Sequence, residues 1–520
     1  MNSLPVLSLI TFTPLLGVAA LAAWRAADGA TARRVALGTS LLVLAQMGAL
    51  LARFDTDTAT LQFVERVPWI PSLGVDYFLG LDGLNVLPLL LTVLLVPFSL
   101  AIADPPRERP RLYCALILLL ECGLLGNFTA LNFLHWFLYW EVGLIPAWFL
   151  VRLWGGPGSR ASADRFFLFT LAGSVALLIA FQGLFLAART LDLIRLAELG
   201  RAGDLAGNLA ATLAWTGLDA ARLGPLLFLA AFTGLAVKVP LVPLHTWLPD
   251  TYAEAPTPVT LLLTGALSKM GVYGFIRLLA PIFPHEIRAL LGPLLLLTVV
   301  TIVFPALVAL AQTDLKRILA YSSINHLGYC LLGLLAVAEA APASPAWDRE
   351  RSAALAGTLV QLFNHGINAG ALFAGVAMIE RRSGGRLGLE DFGGLRAIAP
   401  RLSTMFGIAL FASLGLPGLS GFIGEFLVFK GAFALVPGAA ILAVPGLFLT
   451  ALFLLTLYQK VFNGPANPAW AGFPDLSRRE WLLLAPAVLL LVLPGVLPQL
   501  LLRWVNATVV VHASRIFPGT

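Results

Sequence analysis

Nine ionisable side chains interrupt apolar runs in this sequence: Glu121, Glu141, Glu425, Lys238, Lys269, Arg277, Lys430, Lys460 and Arg503. Arg277, Lys460 and Arg503 lie near the ends of their runs, where a long side chain reaches the polar boundary. The other six have no such escape, and each needs a partner, water or a proton change to be tolerated. The lysines are informative. The chain has 29 Arg and five Lys, yet four of the five Lys (Lys238, Lys269, Lys430 and Lys460) stand in apolar runs. Arginine holds its proton permanently, whereas a desolvated lysine titrates readily. Lysine where the chain otherwise uses arginine points to groups that must lose and regain a proton. A lone lysine of this kind can also simply snorkel. Two histidines add to the pattern, His326 in "YSSINHLGY" and His365 in "QLFNHGINAG". Gln361, Asn364, His365 and Asn368 recur at i, i+3, i+4 and i+7, one polar stripe on an apolar helix. Such a stripe can carry ordered water and protons, or serve as interhelical bonding. His135, near a tight link, and His245, beside a proline-rich turn, read as structural.

These groups need helices to hold them. The 520 residues are 59% hydrophobic and 12% charged, with mean hydropathy +0.88. Soluble domains carry about 25% charged residues, so a cytosolic enzyme, a secreted disulfide scaffold and a disordered chain are excluded. Cys114, Cys122 and Cys330 stand singly and form no zinc or iron–sulfur framework. The net charge of +6 sits in short loops between apolar runs, which argues against a nucleic-acid partner.

A helix spans the hydrocarbon core with about 20 apolar residues, and that ruler finds fourteen segments. They fall near 4–24, 33–52, 84–103, 112–129, 132–151, 166–188, 223–247, 255–279, 289–311, 318–336, 354–379, 403–436, 441–462 and 481–502. The first lacks the basic flank and cleavage site of a signal peptide. The longest polar connection, 189–222, is too short to bury a core of its own. One set of alternate loops holds 18 Lys and Arg against 12 Asp and Glu, the other 10 against 13. The positive-inside rule places the first set in the cytoplasm and both termini in the periplasm of a multi-pass inner (plasma) membrane protein.

Two segments are broken. In segment 7, Pro240 and Pro243 follow Lys238; in segment 12, Pro417, Gly418 and Gly421 precede Glu425. Proline removes a helical hydrogen bond, and such paired interruptions mark inverted repeats with an ion path at the breaks. Pairing segments 4–8 with 9–13 sets Lys238 against Glu425 and Glu141 against His326. The expected architecture is all-α with about fourteen transmembrane helices: a three-helix segment at 1–110, repeats at 111–280 and 281–463, and a C-terminal helix and tail at 464–520.

The stretches "FLYWEVGLIPAWFLVRLWGG", "AVKVPLVPLHTWLPDTYAEAPTPVTLLLTGALSKMGVYGFIR" and "DLKRILAYSSINHLGY" resemble the antiporter-like proton-translocating subunits of NADH-quinone oxidoreductase, respiratory complex I. The resemblance spans nearly the whole chain and is nearest to the subunit M (chain 4) class. It implies that Glu141 pairs with Lys238, that Lys269 is the central lysine, and that His326 and His365 are relay positions. Glu425, in "GFIGEF", matches the terminal carboxylate of the M class, where related subunits carry lysine. Termination soon after segment 14 also departs from the L class, which continues into a lateral helix. Lys430 follows Glu425 by five residues, about 140° around a helix, so either can end the path; Glu121 has no place in the pattern.

The implied mechanism is a switchable Glu141–Lys238 ion pair. When the carboxylate moves away or is neutralised, Lys238 loses the charge that stabilises its ammonium form and yields its proton. That proton then passes through Lys269, His326 and His365 toward Glu425. No cofactor is expected in this chain; NADH, FMN, iron–sulfur clusters and quinone belong to partner subunits, alongside further antiporter-like subunits in the bilayer. A subunit of a multi-subunit sodium/proton antiporter, a photosynthetic-type complex or a membrane-bound hydrogenase shares much of the motif and stays open at this point.

Overall fold

The computed structural model describes residues 4–24, 26–339 and 344–517. Residues 1–3 and 518–520, on which the expected placement of the termini bears, and Arg25 of the first basic loop lie outside the described residues. The chain begins with α1 (Val6–Ala23) and α2 (Gly29–Leu51), then a hairpin of β1 (Gln62–Ile70) and β2 (Val75–Leu81). Next come α3 (Val86–Ile102), α4 (Pro110–Thr129), α5 (Phe133–Trp154), α6 (Ser159–Ala188), α7 (Leu193–Ala202), α8 (Asp204–Thr212), α9 (Ala220–Lys238) and α10 (Leu248–Glu254). They are followed by α11 (Thr257–Ile282), α12 (Leu291–Leu310), α13 (Leu315–Ala336) and α14 (Pro345–Arg382). The last are α15 (Pro400–Ser413), α16 (Ser420–Leu435), α17 (Pro437–Phe462), α18 (Arg478–Val496) and α19 (Gln499–Arg515).

Twelve helices among the described residues are long and apolar enough to cross a membrane. The shorter apolar α3 and the broken pair α15–α16 account for the other two segments. The all-α expectation holds apart from the antiparallel hairpin, whose strands are too short and polar for a helix-length apolar ruler to register. Two stretches take a form the segment pattern does not anticipate. Segment 14 stops at Val496, after Pro494, and a separate α19 follows. The polar 189–222 connection folds into α7 and α8, whose buried faces (Leu193, Leu196, Leu205 and Leu209) pack onto the bundle.

Burial separates the helices. The apolar windows of α11 and α14 are wholly buried, whereas those of α2 and α18 are 28% buried. The two helices that carry Lys269 and the Gln361–Asn368 stripe therefore form the inside of the molecule. Loops tie the helix ends into two faces. On one, Asp250 binds Arg165 and Arg317 at 2.5 and 2.6 Å, and Glu254 accepts from the Gly158 amide. On the other, Asn132 bridges Asp192, Leu79 bridges Ala130, and the Gly83 amide donates to Thr508 on α19. Side-chain caps start the helices: Asn132 for α5, Asp219 for α9 and Asp314 for α13, each contributing about 1 kcal/mol.

Both expected breaks are present. After α9 the backbone turns through 239–247 before α10, and the freed groups find new partners. The Leu241 amide donates to Ala236 O, the Val242 amide to Thr301 Oγ1, and Trp247 Nε1 to Val237 O. Irregular backbone at this depth survives only with such satisfaction. Between α15 and α16, Gly415 and Gly418 take φ of +70° and +93°, a region L side chains avoid. A Cβ on Gly415 would also stand 2.5 Å from Glu425 Oε2, so this turn folds directly against that carboxylate.

Arg277 corrects the expectation that it snorkels. It is buried on α11 and held bidentately by Asp82, at 2.9 Å from Nη1 and 2.6 Å from Nη2, with Nε donating to Tyr273 Oη at 3.0 Å. Asp82 lies just before α3, and burial opposes its ionisation. Arg277 outweighs that cost and holds the Asp82 carboxyl below the usual range.

Candidate functional site

Where the two repeats meet, four of the predicted residues come together in one array. Lys269 is fully buried, and its Nζ donates to Thr264 O at 2.6 Å and lies 2.7 Å from His365 Nδ1. Just before Lys269, α11 widens into a π-turn over Leu263–Leu267, a distortion frequent at functional sites. The His365 ring stacks on His326, with centroids 5.2 Å apart and planes 20° apart. His326 Nε2 is in turn 3.4 Å from Glu425 Oε1, which also accepts from Gln361 Nε2 at 3.2 Å. Lysine, two imidazoles and a carboxylate thus follow one another across α11, α14, α13 and α16.

His326 has a telling environment. Nδ1 is 2.7 Å from Ser322 O and Nε2 is 3.0 Å from Ser413 O, the last residue before the α15–α16 break. Carbonyl oxygens only accept, so both bonds form only when the ring carries two protons. With one proton, one carbonyl loses its donor. The protonation of His326 is thereby tied to the broken backbone of the opposite helix. The rest of the stripe holds that break: Asn364 Nδ2 donates to Ser420 O at 2.5 Å, and Ser420 Oγ to Asn368 Oδ1 at 3.2 Å.

The first half is arranged differently. Lys238 ends α9 and is 2% exposed, with Nζ 4.9 Å over the Trp140 ring but no hydrogen-bond partner. Glu141, one residue after that tryptophan, leaves Oε1 unpartnered, and both carboxylate oxygens of fully buried Glu121 are likewise unpartnered. No Glu141–Lys238 ion pair within 4 Å is formed among the described residues. The α9 break reaches the array through close packing, since a Cβ on Gly271 of α11 would meet Val239 N at 2.9 Å and Lys238 C at 3.1 Å.

Lys430 does not join the array. It faces outward, 42% exposed, and pairs with Glu350 at 2.5 Å. Lys460 is also exposed and pairs with Glu390. His135 packs among Trp69, Tyr77 and Tyr139, and His245 against Phe304 and Tyr321; neither touches the array. Sequence reasoning missed the Trp140 ring beneath Lys238, although its place beside Glu141 was a usable signal. It also missed Lys316, the fifth lysine, which is buried and bound to Glu380 at 3.0 Å. No group of His, Cys, Asp and Glu able to hold a metal occurs among the described residues.

Comparison with known proteins gives a consistent result. The profile described as NADH:quinone oxidoreductase/Mrp antiporter, TM, matches residues 130–452. The NADH-quinone oxidoreductase subunit M of Rhodobacter capsulatus is 36% identical over 509 residues, covering 97% of this chain and 95% of that protein. Among solved structures, a chain of respiratory complex I from Thermus thermophilus with bound NADH superposes with TM-score 0.83 at 30% identity, covering 99% and 100% of the two chains. A chain of the Mrp complex from Dietzia superposes with TM-score 0.79 at 22% identity, covering 99% and 100%, a likeness of fold.

Proposed function

Because this chain belongs to the NADH:quinone oxidoreductase/Mrp antiporter family of membrane proteins, we propose that it is the subunit M-type proton-translocating subunit of an NADH-quinone oxidoreductase. It performs no redox chemistry itself; NADH, FMN, iron–sulfur clusters and quinone reside in partner subunits. The loops richer in arginine face the cytoplasm, and the hairpin and α19 face the periplasm. The observation that carries the reading is the run of neighbouring groups Lys269, His365, His326 and Glu425, every member buried. A passive scaffold has no use for titratable groups at that depth.

In the mechanism, Glu141 and Lys238 alternate between an ion pair and the separated arrangement described above. With the carboxylate near, Lys238 keeps its proton. With it withdrawn, a buried ammonium stabilised only by an indole face is costly, and the proton moves on toward Lys269. Lys269 passes it to His365, His326 takes it, and Glu425 receives it beside the α15–α16 break. Lys238, Lys269 and Glu425 hold the proton; Glu141 sets when Lys238 gives it up.

The test is isolation of the complex through a tag on this chain, followed by reconstitution into vesicles. Co-purification of flavin and iron–sulfur subunits with NADH-driven proton uptake is expected. A complex lacking them, with sodium-dependent proton flux, would instead make the chain an antiporter subunit.

A further inference from the structure

Lys316 and Glu380 lie outside the array, on the face assigned to the cytoplasm. Lys316, at the start of α13, is 3% exposed; its Nζ donates to Glu380 Oε1 at 3.0 Å and to Ala255 O at 3.2 Å. Glu380, near the end of α14, is 31% exposed and also accepts from Thr257 Oγ1, at the start of α11. A lysine so deep beside a carboxylate that still touches solvent, at the junction of three central helices, is a polar mouth in an otherwise apolar bundle.

From that mouth a column of hydroxyls climbs α11. Thr257, Thr260 and Thr264 fall at i, i+3 and i+7 of one helix face, Ser268 follows just past the π-turn, and all four are buried. Thr264 Oγ1 is 2.7 Å from Ser323 Oγ, seven residues beyond Lys316 on α13. Ser268 Oγ donates to Thr264 O at 2.8 Å, the same carbonyl that accepts from Lys269 Nζ. A hydroxyl both donates and accepts, so it can take one proton as it gives another. Plain helix packing would be served as well by alanine or valine.

We propose that Glu380, held by Lys316 and Thr257, is the proton inlet of the axis, and that the Thr257–Ser268 face with Ser323 and intervening water conducts to Lys269. An O–H bond of hydronium breaks, leaving water, and an O–H bond forms on the Glu380 carboxylate. That proton passes up the hydroxyl column until the Lys269 amine, left free once its proton has gone to His365, becomes ammonium and Glu380 is again a carboxylate; the Lys269 ammonium then recharges Lys238. This inlet rests on the proposed function of the Lys269 array.

The test uses the assembled complex in vesicles. Glu380→Gln should lower proton pumping per electron several-fold while NADH oxidation continues, with the loss deepening as pH rises on the inlet side; Glu380→Asp should restore both. The nearly isosteric pair Thr264→Val with Ser323→Ala should show the same deficit. Thr264→Cys should react with a membrane-impermeant cationic methanethiosulfonate from the cytoplasmic face, against a background set by buried Cys114, Cys122 and Cys330. Wild-type pumping in both Glu380→Gln and the hydroxyl pair, with Lys269→Ala inactive, overturns the inlet alone. Labelling of Thr264→Cys only from the opposite face overturns it as well. Wild-type pumping in Lys269→Ala overturns the array and the inlet together.

Discussion

The two halves of the molecule hold their charges in opposite ways. Lys269, at the end of the first repeat, and His365, His326 and Glu425 of the second are each in contact with the next, and backbone carbonyls accept from Lys269 and lie on both ring nitrogens of His326. In the first half, Glu121, Glu141 and Lys238 present unpartnered polar atoms within a buried setting. An array of groups in contact transmits a proton through small movements of rings and ordered water. A buried, unsatisfied set is costly as it stands, and so responds to any movement or charge that satisfies it. On the proposed function, the contacting array is the conductor and the unpartnered set is the switch.

Removing a conductor should have the largest effect. Lys269→Ala is expected to lower pumping per electron by about tenfold or more, the scale of losing a positioned proton-transfer group, as measured by dye quenching against NADH oxidation. A smaller effect there than at Glu121 would invert the comparison. Next in size is the satisfied pair outside both arrays. Asp82→Asn leaves Arg277 buried without its counter-charge, and should cost roughly 3–5 kcal/mol of stability, read by thermal unfolding of the complex. The sign with pH follows from the lowered Asp82 carboxyl: the contribution is complete above the unfolded value of about 4 and is lost as pH falls through the lower folded one. Acidification below pH 4 should therefore destabilise the wild type more than Asp82→Asn, whose remaining loss comes from carboxylates such as Glu480.

Gly415→Ala should give a smaller, selective defect. The turn needs positive φ and the new methyl would crowd Glu425 Oε2, so strain of about 1–3 kcal/mol is expected at the break. Pumping should fall while NADH oxidation and assembly persist. Lys430→Ala should do least. An exposed ion pair contributes about 0–1 kcal/mol, so pumping and melting temperature should stay close to wild type, and a pumping loss would put Lys430 back on the path.

Much of this was legible in the sequence because intramembrane charge is expensive and therefore conspicuous. Lys238, Lys269, Glu141 and Glu425 stood out against apolar runs, and the Pro240/Pro243 and Pro417/Gly418 pairs marked both breaks. Other features were hidden for physical reasons. Arg277 sat close enough to a helix end to pass as snorkelling, because its partner Asp82 is remote in sequence. Lys316 looked like an ordinary loop cation until α11 and α14 closed around it. Lys430 and Glu425 were equivalent by composition, and only helix rotation separates the outward lysine from the inward carboxylate. The hairpin escaped because its residues span too few apolar positions.

The most direct test is proton pumping per electron in the assembled complex bearing Lys238→Ala. The account predicts that assembly and NADH oxidation survive while pumping falls sharply, with Glu141→Ala giving the same deficit. Full wild-type pumping in the Lys238 variant, at unchanged assembly, would contradict it.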